Sequence, residues 1–130
     1  MGLLIDGEWR GAPPAQGDAG DFVRQASIFR HQITADGSSG FKAEAGRYHL
    51  YVSRACPWCH RTLLFRQLKR LQEVISVSFV EPLMLENGWT FAAPEPLTGA
   101  RYAYEIYRRA DPRYSGLRAR CPRPPASNWD

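Results

Sequence analysis

The sequence predicts an α/β fold built around one strand–helix–strand unit. Three observations carry this. Residues 47–53 form a β-branched and aromatic run, with Leu50 and Val52 on one face and Tyr51 on the other. Residues 74–80 (Val-Ile-Ser-Val-Ser-Phe-Val) alternate in the same two-residue period. Between them, His60, Leu64, Leu68 and Leu71, joined by Leu63, recur at the three- and four-residue spacing of a helix. Two strands joined by a helical crossover run parallel.

The elements follow in order. Residues 1–46 read as an N-terminal extension that packs by occasional side chains such as Phe22, Val23, Ile28 and Phe29. Gly11-Ala12-Pro13-Pro14 and Asp36-Gly37-Ser38-Ser39-Gly40 mark turns within it. Pro57 suits the first turn of the crossover helix, where its missing N–H costs nothing. That helix reads as about four turns. Its His60–Leu64–Leu68–Leu71 face is expected to be buried, with His60 structural and Arg61, Arg66, Lys69 and Arg70 on other faces. The last three cations suit the helix C-terminus. Residues 81–96 read as a polar connection carrying Trp89 and Phe91, and residues 100–110 as a second helix ended by Asp111-Pro112. Residues 117–130 lose all periodicity and read as an irregular basic tail. The organisation predicted is thus extension 1–46, α/β unit 47–116 and tail 117–130.

Composition excludes several functions. A chain of 130 residues is one domain by length. No window reaches the roughly 18 apolar residues of a membrane span, and Met1-Gly2-Leu3-Leu4-Ile5-Asp6 lacks the basic and apolar regions of an export signal. Three cysteines without an export signal point to the reducing cytoplasm rather than a disulfide scaffold. The net charge of +4 lies wholly in residues 101–130, without a nucleic-acid-binding motif, so a nucleic-acid partner is not expected.

The chemistry concentrates at Cys56-Pro57-Trp58-Cys59, directly after the first strand. The opening turn of a helix has unpaired N–H groups and a partial positive charge. A cysteine at the cap position, its sulfur aimed at those donors, gains more from them as thiolate than as thiol. Cys56 is therefore the expected attacker. Cys59, one turn deeper, is at most a resolving thiol. Pro57 holds the turn, and Trp58 offers a flat apolar wall.

Other readings compete. Cys56-x-x-Cys59-His60 matches the attachment motif of c-type haem, which needs export and an axial partner. Zinc could take Cys56, Cys59, His60 and Cys121, but a second ligand pair is missing, so no metal is predicted. The two cysteines could also simply pack in a core; the proline and the strand just upstream argue against that. His49 reads as a packed or hydrogen-bonded histidine, Trp89 as a core plug or a binding platform in equal measure, and Cys121 as an incidental thiol.

Several blocks resemble the glutathionyl-hydroquinone reductases, the xi-class glutathione transferases. They are residues 40–53 followed by Cys56-Pro57-Trp58-Cys59-His60-Arg61-Thr62, Met84-Leu85-Glu86-Asn87-Gly88-Trp89-Thr90-Phe91, Tyr104-Glu105-Ile106-Tyr107, Ala110-Asp111-Pro112-Arg113-Tyr114-Ser115-Gly116 and the opening residues 1–7. The resemblance implies a thioredoxin-like domain followed by a helical domain, a homodimer, and glutathione as co-substrate. It implies that Cys56 attacks the sulfur of a glutathionyl-hydroquinone, that a second glutathione reduces the resulting mixed disulfide, that Cys59 is dispensable, and that Trp89 lines the glutathione site.

After Gly116 the resemblance stops. The family continues with further strands and a Glu-Ser pair that grips glutathione, whereas this sequence turns rich in Arg and Pro. The expectation is a truncated product: a partial thioredoxin-like unit, the helical domain absent, with impaired activity. The rival functions are a glutaredoxin-like dithiol oxidoreductase and a non-catalytic fragment.

Overall fold

The computed structural model describes residues 2–11 and 28–116. The readings of Phe22, Val23, Cys121 and the 117–130 tail lie outside the described residues.

Residues Leu3–Ile5 (β1) and Glu8–Arg10 (β2) form an antiparallel hairpin. Its turn residues Asp6 and Gly7 have φ of 47° and 76°. Two positive values in succession are what a two-residue hairpin turn requires, and Asp-Gly supplies them at low steric cost. The hairpin is docked. Trp9 stacks on Tyr104 with ring centroids 4.7 Å apart. Leu4 exchanges backbone hydrogen bonds with Gly116, and Ser115 Oγ accepts from the Asp6 amide at 2.9 Å.

The core of the fold is the expected unit. Tyr48–Ser53 (β3), Pro57–Leu68 (α1) and Ile75–Val80 (β4) follow in order, and β3 pairs with β4 in parallel, from Tyr48 opposite Ile75 to Ser53 opposite Val80. Alternation sorts the sheet into two faces. One carries His49, Tyr51, Ser53, Ser76, Ser78 and Val80. Against it folds the segment that continues into Ala103–Ala110 (α2), giving a cluster of Tyr51, Val80, Trp89, Phe91, Ala100, Ala103 and Ile106. The 81–96 stretch is a mostly exposed connection, as expected, whose Trp89, Phe91 and Glu95 reach into the core. Glu105 starts α2 by accepting from the Arg101 and Tyr102 amides at 2.7 and 2.9 Å, and Asp111-Pro112 ends it as expected.

The crossover helix corrects a second expectation. It spans three turns, and Leu71 lies beyond its end. Within it Cys59 is buried and Leu63 and Arg66 are half-buried, whereas His60, Leu64 and Leu68 are exposed. The inward face is thus Cys59–Leu63–Arg66. Arg66 is not a solvent-facing cation: its Nε donates to the Ile75 carbonyl at 2.6 Å and its Nη2 to the Gln72 carbonyl at 2.7 Å. It closes the turn between α1 and β4. Arg70, just past the helix, takes a φ of 53°.

Polar groups fasten the 94–99 turn to the sheet. The carboxylate of Glu95, 1% exposed, accepts from Ser78 Oγ, the Leu97 and Thr98 amides and Thr98 Oγ1, at 2.8–3.0 Å. His49 lies between Ser76 Oγ (2.6 Å from Nδ1) and Ser78 Oγ (2.9 Å from Nε2). Arg109 of α2 donates to the Thr98 carbonyl at 2.7 Å.

Candidate functional site

The thiol site is assembled where β3 becomes α1. Ser53 closes the strand, and its Oγ accepts from the Ala55 amide at 3.2 Å while its carbonyl accepts from the Cys56 amide at 3.2 Å. This tight turn delivers Cys56 to the N-cap of α1 in extended geometry (φ −96°, ψ 116°), and Pro57 takes the first helical position. The Cys56 carbonyl accepts the first helical bond, from the His60 amide, at 3.1 Å. Cys56 is a free, half-buried thiol. No acidic residue stands in the first turn to compete with a negative charge there.

The position expected for Cys56 is observed, but one detail differs. Its sulfur makes no capping hydrogen bond to the first-turn amides.

Cys59 is fully buried beneath β3, and its Sγ accepts from the Ser53 amide at 3.3 Å. It therefore ties the helix to the strand end. Trp58 is 66% exposed, with the Arg61 guanidinium 5.1 Å from its ring centre. Trp89 is 8% exposed and sits in the core cluster, its carbonyl accepting from the Ala103 amide. His60 is exposed, so the structural role expected for it does not hold.

Arg54 is a neighbour of the thiol that no sequence motif marks. This exposed cation stands two residues before Cys56, its guanidinium 4.7 Å from the centre of the Phe79 ring. Its place in the turn ahead of the thiol was a visible signal; the ring beneath it was not. Glu95 is likewise marked by no sequence motif. Burial alone would raise its carboxyl, but the hydrogen bonds from Thr98, Leu97 and Ser78 outweigh that and hold it below the ordinary carboxylate value. Burial pushes His49 down, with Glu95 opposing and Arg66 adding to the effect. Burial and the Glu95 charge push the Tyr51 phenol well up.

A parallel strand–helix–strand unit with a cysteine capping its crossover helix places the chain in the α/β class with thioredoxin-like neighbours. Comparison with known proteins narrows this. No protein-family model matches the chain. The glutathionyl-hydroquinone reductase YqjG of Escherichia coli is 51% identical over 129 residues, covering 89% of this chain and 39% of the relative. The glutathionyl-hydroquinone reductase PcpF of Sphingobium chlorophenolicum is 50% identical, covering 89% and 38%. Among solved structures, a xi-class glutathione transferase from Natrialba magadii superposes with a TM-score of 0.76 at 45% identity, covering 89% of this chain and 38% of that one. The glutathione-bound YqjG structure gives 0.73 at 46%, covering 92% and 37%.

Over the aligned part, the chain is homologous to the glutathionyl-hydroquinone reductases and xi-class glutathione transferases. It spans about two fifths of the length of the curated relatives it matches. Among the described residues, no helix is long and apolar enough to cross a membrane.

Proposed function

We propose that this chain carries the thiol site of a glutathione-dependent thiol transfer, the reduction of glutathionyl-hydroquinones, with Cys56 as the attacking sulfur. The observation that supports it best is the free thiol at the N-cap of α1, at the end of a parallel strand. In the first step the Cys56 thiolate attacks the glutathione sulfur of the substrate. The sulfur–sulfur bond forms as the carbon–sulfur bond breaks, and the ring carbon takes a proton, releasing the hydroquinone. In the second step a glutathione thiolate attacks the mixed disulfide. Oxidised glutathione leaves and Cys56 returns as a thiol. One ring carbon is reduced and two glutathiones are oxidised to one disulfide, so electrons balance. The helix N-terminus sets a partial positive charge beside the sulfur in both steps.

The other site residues take supporting roles. Pro57 sets the turn and Trp58 offers its exposed ring to the quinol. Trp89 backs the glutathione side, its ring anchored in the core. Turnover by the chain as it stands is expected to be weak, because Trp58 and Pro57 beside the thiol face water rather than a closed wall. Glutathione as substrate and a homodimer follow from the same reading, and a cytoplasmic location suits its thiol chemistry.

The test is adduct formation. Incubation with oxidised glutathione is expected to give one glutathione on Cys56 by mass spectrometry. C56S is expected to abolish it and C59A to preserve it. An unmodified Cys56, with glutathione carried only on another cysteine, overturns the assignment. Loss of glutathionyl-hydroquinone turnover in C59A would favour the dithiol alternative, against which the complete burial of Cys59 argues.

A further inference from the structure

Arg54 stands in the turn between β3 and α1, two residues before Cys56. An exposed arginine ordinarily samples many rotamers. This one lies over the Phe79 ring at 4.7 Å. Phe79 is held opposite Val52 by the β3–β4 register, and 39% of it remains exposed. A cation over an aromatic face is attracted by the ring's negative face, which favours one position. Among the described residues no carboxylate pairs with Arg54, and the first turn of α1 carries none. The strand register thus keeps a guanidinium, without an ion-pair partner among the described residues, in the turn that leads into the thiol. A guanidinium offers a planar fork of donors that matches a carboxylate.

We propose that Arg54 is a specificity residue of the Cys56 site, selecting thiol and disulfide partners that carry a carboxylate near the reacting sulfur. The proposal rests on the reading of Cys56 as the attacking thiol. Arg54 acts on the partner's approach and touches no bond that breaks.

The test compares two alkylating reagents on the full chain, iodoacetate (an anion) and iodoacetamide (neutral), with modification read at Cys56 by tandem mass spectrometry. Both need the same thiolate, so their rate ratio cancels any change in ionisation and reports only charge selection. The iodoacetate-to-iodoacetamide ratio is expected to fall about threefold in R54Q, to recover in R54K, and to fall in the unsubstituted chain at high salt. R61Q removes the same charge more than a turn along α1 and is expected to leave the ratio near its starting value. An R54Q ratio equal to that of the unsubstituted chain overturns the proposal. So does an equal fall in R61Q, which would mean that overall charge, not this arginine, selects the reagent. Slow alkylation by both reagents would instead sink Cys56 as the nucleophile, and the ratio would still judge Arg54.

Discussion

Ser78 donates its hydroxyl proton to the buried carboxylate of Glu95 across 3.0 Å. An ionised carboxylate only accepts, so the direction of that bond is fixed. Ser78 Oγ is then left as an acceptor for His49 Nε2, 2.9 Å away. The histidine must carry its proton on Nε2 and accept at Nδ1 from Ser76, 2.6 Å away. The arrangement is no hydrolytic triad, because the serine proton points at the acid and not at the imidazole. Nitrogen-detected NMR at neutral pH is expected to show His49 as the Nε2–H tautomer. The Nδ1–H form would break this account of the proton order.

The same groups make stability depend on pH. His49 titrates below its ordinary value of 6.5 in the fold, so the unfolded chain binds the proton more readily. The stability this gives is present above about 6.5 and is lost as pH falls through the folded value. Glu95 also titrates below its ordinary value of 4.5, so its contribution is present above that and lost at more acid pH. Both losses run in the acid direction. Denaturant melts from pH 8 to 3 are expected to show a first decline beginning near 6.5 and a second below 4.5. His49→Gln is expected to remove the first and leave the second. Unchanged first-limb behaviour in that variant would remove His49 from the linkage.

The parallel unit and the cap cysteine were legible in sequence because both are local: a two-residue period, a helical period and a proline at the first turn. What failed was anything decided by the other side of the fold. Leu63, Leu64 and Phe65 are consecutive, so apolar spacing in α1 fits more than one face. The chosen face is set by the sheet, which takes Cys59, Leu63 and Arg66. Glu95 lies in a stretch that reads as polar, yet Ser78 and Thr98 satisfy it in the core. Arg54 finds its ring only through the pairing of Val52 with Phe79. The hairpin at residues 3–10 is a different case. Asp6-Gly7 between short apolar runs is a hairpin signal in itself, and reading residues 1–46 as a loose extension overlooked it.

Gly7 tests whether that hairpin is firmly docked. At φ 76°, a Cβ on Gly7 would lie 1.9 Å from the Pro112 carbonyl oxygen, a backbone atom that cannot step aside. Gly46 has φ 77° but open space around its would-be Cβ. Gly46→Ala therefore meets only the left-handed backbone penalty, about 1 kcal/mol. Gly7→Ala adds a collision and is expected to cost at least about 2 kcal/mol. Equal midpoints for the two variants in urea would mean that the hairpin does not press on Pro112.

The orientation of α1 can be decided by a pair of substitutions on opposite sides of it. Leu68 is 74% exposed on the face the periodicity favoured, whereas Val52 on β3 is buried. If the helix lies as observed, Leu68→Lys removes little buried apolar area and changes stability by less than about 0.5 kcal/mol. Val52→Ala opens a cavity under the sheet and is expected to cost about 2–3 kcal/mol. The reverse order, a large loss at Leu68, would mean that the His60–Leu64–Leu68 face is covered in solution. It would also reopen the placement of Cys59 beneath Ser53, because turning the helix toward that face carries Cys59 away from the strand end.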